Sequence, residues 1–104
     1  MADLTQKQWS EQLENDSNAI VIDVRTDEEF EEGYIPGAQQ IDIYNGAEFL
    51  QRAKELDPQK NYYVYCRSGG RSAQACLLLN SVGVKNTYNL NGGITDWEGE
   101  IINE

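Results

Sequence analysis

The sequence predicts an α/β domain, a central parallel sheet of four to five strands with helices on both faces. Three observations carry that expectation. Short β-branched and aromatic runs alternate with segments of helical periodicity. The connections between the four visible strands run over 25–37, 44–61 and 67–85, each long enough for a helical crossover and far too long for a hairpin. Finally, 104 residues that are 39% hydrophobic and 25% charged suit one core, with no linker, low-complexity stretch or repeat to divide them. One domain over 1–104 is therefore expected.

Each element has a local reason. Thr5 and Gln8 form a capping box, and Leu4 can staple onto Trp9, so a first helix of two to three turns begins there, burying Trp9 and Leu13. Ala19-Ile20-Val21-Ile22-Asp23-Val24 is near-continuously apolar, as a strand covered on both faces should be. Thr26 and Glu29 make a second capping box, with Asp27, Glu28 and Glu29 where a helix dipole favours acids; this short helix ends before Gly33. Tyr34 to Gly37 turns into a second strand, Ala38 to Ile43. Asn45 is placed to cap a third helix bearing Phe49, Leu50, Ala53 and Leu56, which Asp57-Pro58 stops. Tyr62 to Tyr65 is the third strand, Ser72 to Val82 an apolar helix closed by Gly83, and Thr87 to Leu90 the fourth strand. A fifth strand is not visible in the sequence; residues 2–4 are long enough to supply a short one.

Composition excludes several functions. With 18 acidic against 8 basic residues the net charge is −10, so no footprint for nucleic acid or an anionic membrane is present. There is no histidine, hence no Ser-His-Asp triad, no Cys-His dyad and no histidine-ligated metal. Cys66 and Cys76 are too few for a disulfide framework or a four-cysteine zinc site. The first residues lack the pattern of a signal peptide and no apolar run reaches membrane length, so a cytoplasmic setting is expected, with no metal and no cofactor.

Ligands of open parallel sheets bind beyond the carboxyl ends of the strands, and one such segment looks chemical. Cys66-Arg67-Ser68-Gly69-Gly70-Arg71-Ser72 leaves a strand, turns through two glycines and enters a helix. The glycines allow successive backbone N–H groups to face inward, and the helix N-terminus adds positive potential, so Cys66 stands where an anion is favoured. Only a thiolate is nucleophilic, and with no histidine the loop must ionise it. Lowering the thiol by about two pH units from ~8.5 raises the thiolate fraction at pH 7 from about 3% to about 75%, for roughly 2.7 kcal/mol, which a few charge-assisted hydrogen bonds supply. Charge patterning agrees: between Asp57 and Asp96 there is no carboxylate, while Lys60, Arg67, Arg71 and Lys85 give residues 58–95 a charge of +4 and leave −14 to the rest. Buried strand and helix also explain a scarcity of acids, but not the loop as a whole.

The chain resembles the single-domain rhodanese-like sulfurtransferases. The resemblance spans nearly the whole sequence, through Asp23-Val24-Arg25 with Glu29-Phe30, Gly33-Tyr34-Ile35-Pro36-Gly37-Ala38, Val64 to Ser72, and Asn91-Gly92-Gly93-Ile94 with Trp97. It implies a rhodanese-like α/β fold with a sheet of about five strands. It implies also that Cys66 carries a persulfide, taking sulfane sulfur from a small anionic donor such as thiosulfate and passing it to cyanide, a thiol or a sulfur-accepting protein. Arg67 and Arg71 then match the arginines that attract the donor, and the Ser68, Gly69, Gly70, Arg71 and Ser72 backbone cradles the persulfide. Two positions depart from the family pattern: Tyr34 where histidine is common, and Gly70 where a larger residue is frequent.

Two rivals frame this reading. A phosphatase or arsenate reductase uses a similar cysteine loop, but four residues separate Cys66 from Arg71 where the phosphate-binding loops of related folds have five, and only Asp96 or Asp23 offers itself as a general acid. A non-catalytic partner-binding module is the other rival, with the acidic run Glu28 to Glu32 as a docking face, although a solvated helix face explains that run as well. Elsewhere the expectations are structural: Cys76 a buried thiol, Tyr62, Tyr63, Tyr65 and Tyr88 sheet packing, Trp97 an anchor for a C-terminal helix, Arg25 an ion pair with Glu29, and Asp23 a tie to neighbouring backbone.

Overall fold

A computed structural model describes residues 1–103. Along the chain lie β1 (Ala2–Leu4), α1 (Gln6–Glu14), β2 (Ala19–Asp23), α2 (Asp27–Glu32), β3 (Gln39–Gln40), α3 (Gly46–Glu55), β4 (Asn61–Tyr65), α4 (Gly70–Ser81), β5 (Thr87–Leu90) and a 3-10 turn, Ile94–Asp96. The sheet has five strands in the order β1-β5-β4-β2-β3, and every pair is parallel. Residues 2–4 do supply the fifth strand, beside β5, where Leu4 pairs with Leu90.

Strand alternation sorts the core into two layers. Ile22, Tyr62, Val64 and Cys66 point to one face and pack with Phe49 and Ala53 of α3 and Ala75, Cys76 and Leu79 of α4. Val21, Tyr63 and Tyr65 point to the other and pack with Trp9 of α1, Ile35 and Leu90. Trp9 is fully buried, and Tyr63, Tyr65 and Trp97 meet it edge to face at 5.6–6.3 Å. Each long aromatic side chain also finds a polar partner for its tip: Trp9 Nε1 donates to the Tyr88 carbonyl, the Tyr63 hydroxyl to Asp16, the Tyr62 hydroxyl to the Asp57 carbonyl. Both capping boxes form, Thr5 with Gln8 and Thr26 with Glu29.

Several sequence expectations shift. The second strand narrows from 38–43 to Gln39–Gln40, because Asp42 turns the chain by accepting from the Tyr44 N–H, although Ile41 and Ile43 still donate to Asp23 and Val24. Asn45 precedes α3 without capping it; its side-chain amide donates to Glu48 instead. α4 starts at Gly70 rather than Ser72, since Gly69, at φ +108°, makes the turn in one residue. Trp97 anchors the 3-10 turn against Trp9, not a C-terminal helix. Arg25 does not pair with Glu29. It is 5% exposed and lies in a fork on Asp23, Nη2 at 2.7 Å, with a further bond to the Gly33 carbonyl. Asp23 also accepts from the Arg25 N–H, the expected tie to backbone.

Candidate active site

Crossovers leave β2 towards β3 and β4 towards β5, in opposite directions across the sheet, so a crevice opens at the carboxyl ends of these two central strands. Cys66 is the first residue beyond β4, and the strand's alternation aims it below the N-terminus of α4. The loop faces its N–H groups inward because the carbonyls of Cys66, Arg67 and Gly69 are engaged elsewhere. The Cys66 carbonyl accepts from Ile94 N–H at 3.0 Å, and that of Arg67 from Thr95 N–H at 3.1 Å and Thr95 Oγ1 at 2.7 Å. That of Gly69 accepts from Ala73 N–H and the Asn89 amide. The post-β5 turn therefore clamps the loop from behind. It can approach so closely only through Gly93, where a Cβ would stand 2.3 Å from the Arg67 carbonyl oxygen.

Turned inward, Gly69 N–H reaches Cys66 Sγ at 3.1 Å, and the Ser72 hydroxyl lies 3.3 Å from it. Burial of this side chain, 1% exposed, pushes the thiol up. Hydrogen bonds from the Ser72 hydroxyl and the backbone N–H groups of Ser72, Gly69 and Ser68 outweigh that and bring it below the ordinary value. Cys66, Ser68, Gly69 and Ser72 are thus brought together around the sulfur, whereas Gly70 serves as the first residue of α4.

The two loop arginines part company. Arg67 is exposed and lines an open cavity of about 290 Å³ with Arg25, Glu29, Glu32, Ile94 and Thr95. Arg71 is held by Glu29 in a two-pronged bridge, 2.7 and 2.9 Å, and stacks over the Tyr44 ring at 5.3 Å. The Arg71 guanidinium holds the Glu29 carboxyl down to about 2, and the Arg71 charge is reinforced in turn. The resemblance gave both arginines to the anionic donor; here Arg67 has no ion-pair partner among the described residues, while Arg71 is a strut between α4 and α2.

Sequence reasoning passed over three residues that shape the loop: Glu29 as the partner of Arg71, Thr95 behind Arg67, and Asn89 behind Ser72. Asn89 carried a readable signal, an amide in the middle of a buried strand. Among the described residues no group of Asp, Glu or Cys is arranged to hold a metal ion, and no helix is long and apolar enough to cross a membrane.

Residues 5–100 match the model of the rhodanese-like domain, and the chain belongs to that family. It is 42% identical over 90 residues to YtwF of Bacillus subtilis (strain 168), covering 86% of this chain and 84% of that one. It is 37% identical over 82 residues to the thiosulfate sulfurtransferase GlpE of Pseudomonas fluorescens (strain SBW25), covering 79% and 72%. A crystal structure of a rhodanese-like domain protein from Staphylococcus aureus superposes with a TM-score of 0.84 at 28% identity, covering 100% of this chain and 99% of the other. Sulfur transfer of the rhodanese type is thus the family-level activity.

Proposed function

We propose that the protein moves sulfane sulfur from a small anionic donor such as thiosulfate to a thiol or cyanide acceptor, through a persulfide on Cys66. The observation that carries this reading is the sulfur atom itself, buried at the carboxyl end of the sheet and surrounded by N–H and O–H donors, with no base hydrogen-bonded to it among the described residues. Such a site stabilises a sulfur anion. It does not supply a proton, and displacement at sulfur asks for none. The Cys66 thiolate attacks the outer sulfur of thiosulfate; its electron pair forms the new S–S bond, and the old S–S pair departs with sulfite. The outer sulfur of the persulfide then carries the charge. An acceptor thiolate or cyanide attacks that sulfur, and the Cys66 thiolate leaves into the same cradle.

Arg67, next to Cys66 in the chain, exposed and without an ion-pair partner among the described residues, draws the donor in. A phosphatase is disfavoured on two counts: the loop is one residue short, and Arg71, which would have to grip a tetrahedral oxyanion, is occupied by Glu29. No turnover of an aryl phosphate is expected. The test is intact-protein mass spectrometry after incubation with thiosulfate. The mass should rise by one sulfur atom, return after a thiol reductant, and stay fixed in Cys66→Ala; an unchanged mass in the native protein rejects persulfide transfer.

A further inference from the structure

Behind the sulfur lies a closed hydrogen-bond chain that runs out to the edge strand. Ser72 Oγ is 3.3 Å from Cys66 Sγ, 3.2 Å from the Gly69 carbonyl and 2.5 Å from Asn89 Oδ1. Asn89 Nδ2 donates to Asp3 Oδ1 at 2.7 Å and to the Gly69 carbonyl at 3.2 Å. Both neighbours of Nδ2 are acceptors only, so the amide has one orientation, with its oxygen towards Ser72. Cys66, Ser72 and Asn89 are 1%, 0% and 3% exposed. Bulk solvent barely reaches these side chains, so their hydrogen bonds must be met largely within the chain.

The count does not close in a single state. Ser72 has one hydroxyl proton, while a thiolate, the Asn89 oxygen and the Gly69 carbonyl all lie within reach. The Gly69 carbonyl has other donors in Ala73 N–H and the Asn89 amide, which leaves two claimants. Asn89 Oδ1 has the shorter contact and, within the chain, Ser72 as its donor. While sulfur holds its proton, S–H donates to Ser72 Oγ and Ser72 donates to Asn89. Once that proton has left for solvent, the sulfur can only accept. Ser72 must then turn its proton to Sγ and leave Asn89 Oδ1 bare, or keep Asn89 and leave the sulfur to the backbone.

We propose that Asn89 is a positioning residue of the sulfur site, competing with Cys66 for the single proton of Ser72 and so favouring the states in which the inner sulfur is uncharged. Those states are the thiol and the persulfide, in the second of which the charge has moved to the outer sulfur. Resting on the reading of Cys66 as the sulfur carrier, the proposal adds a restraint on its thiolate, set from β5 and anchored by Asp3 on β1. The charged and titratable groups around the sulfur are Arg67 in the loop, Arg71 and Cys76 on α4, Glu29 on α2 through Arg71, and Asp3 through Asn89. Replacing Asn89 by an apolar residue alters none of these charges, so a shift on replacement reports the hydroxyl.

The experiment is a titration of the Cys66 thiolate by its ultraviolet absorbance and by the pH dependence of its alkylation, in the full chain. Asn89→Leu should raise the ratio of thiolate to thiol at fixed pH by about tenfold, moving the midpoint down by about one unit. Asn89→Val, suited to a strand, provides the same reading should the leucine variant fail to fold. The decisive comparison places Asn89→Leu in a Ser72→Ala background, where its effect should vanish, because the contested proton is gone. An equal shift with and without Ser72, or no shift at all, overturns the proposal. Since the readout is protonation, it stands apart from whether thiosulfate is a substrate: a native protein that never gains sulfur but still shows the coupled shift would refute the function and keep the restraint.

Discussion

Cys66 and Cys76 are equally buried, at 1% and 0% exposure, lie in the same core layer, and stand ten residues apart, yet their thiols are displaced in opposite directions. Burial pushes Cys76 up to about 12, against a single hydrogen bond from Thr87. At Cys66 the same burial is overcome by four donors from Ser72, Gly69 and Ser68. Burial therefore does not decide which cysteine is chemical. The orientation of the surrounding N–H groups does, and Cys76, in mid-helix, is surrounded by amides whose hydrogens are committed to the preceding turn.

The largest expected effect removes one side of that contrast. Cys66→Ala should abolish the gain of a sulfur atom outright, while Cys76→Ala should leave the rate within about twofold and cost on the order of 1 kcal/mol of stability by denaturant unfolding. Loss of sulfur transfer in the Cys76 variant would show that the two thiols act together. Next in size is Ser72→Ala, which deletes a hydrogen bond to a charged sulfur worth about 1.5–2 kcal/mol. Alkylation at pH 7 should slow by about tenfold or more, and a rate unchanged from native would mean the backbone alone holds the thiolate. Smaller again is Arg67→Ala, which should raise the KM for thiosulfate several-fold more than that for an uncharged persulfide donor, since only the former answers to charge. Equal changes for both donors would assign Arg67 a contact other than attraction.

How much of this was legible in the chain depends on how far apart the partners lie. Local chemistry read well: both capping boxes involve residues three apart, and the strand runs at 19–24, 62–65 and 87–90 carry their burial in their composition. The cysteine loop was visible for the same reason, because strand, glycines and helix are contiguous. Side-chain partners chosen by the tertiary fold did not read. Arg25 sits four residues before Glu29, a spacing that suggests a helix pair, but Arg25 precedes α2 and is turned back to Asp23. Glu29 was thereby left to reach Arg71, 42 residues on, a partnership only the tertiary fold creates. Asn89 and Asp3, 86 residues apart, meet because the first strand pairs beside the last.

That Glu29–Arg71 strut provides the smallest and most local test. A carboxyl held to about 2 in the folded chain but near 4.5 when unfolded stabilises the fold where it is ionised in both states, above about pH 4.5, and loses that contribution as the pH falls towards 2. Both side chains are 19% exposed, so screening by water limits the bridge to about 1 kcal/mol. Glu29→Gln should accordingly lower stability by about that amount at pH 7, with the difference from native fading between pH 4.5 and 2, as followed by urea unfolding. The same substitution releases Arg71 from α2 and adds a second cation near Arg67, so the KM for thiosulfate should fall, or at least not rise, while the thiolate titration moves by less than in Ser72→Ala. A KM that rises strongly would show that Arg71 aids the reaction by being held still, and that a rigid α2–α4 strut outweighs a second free cation at this site.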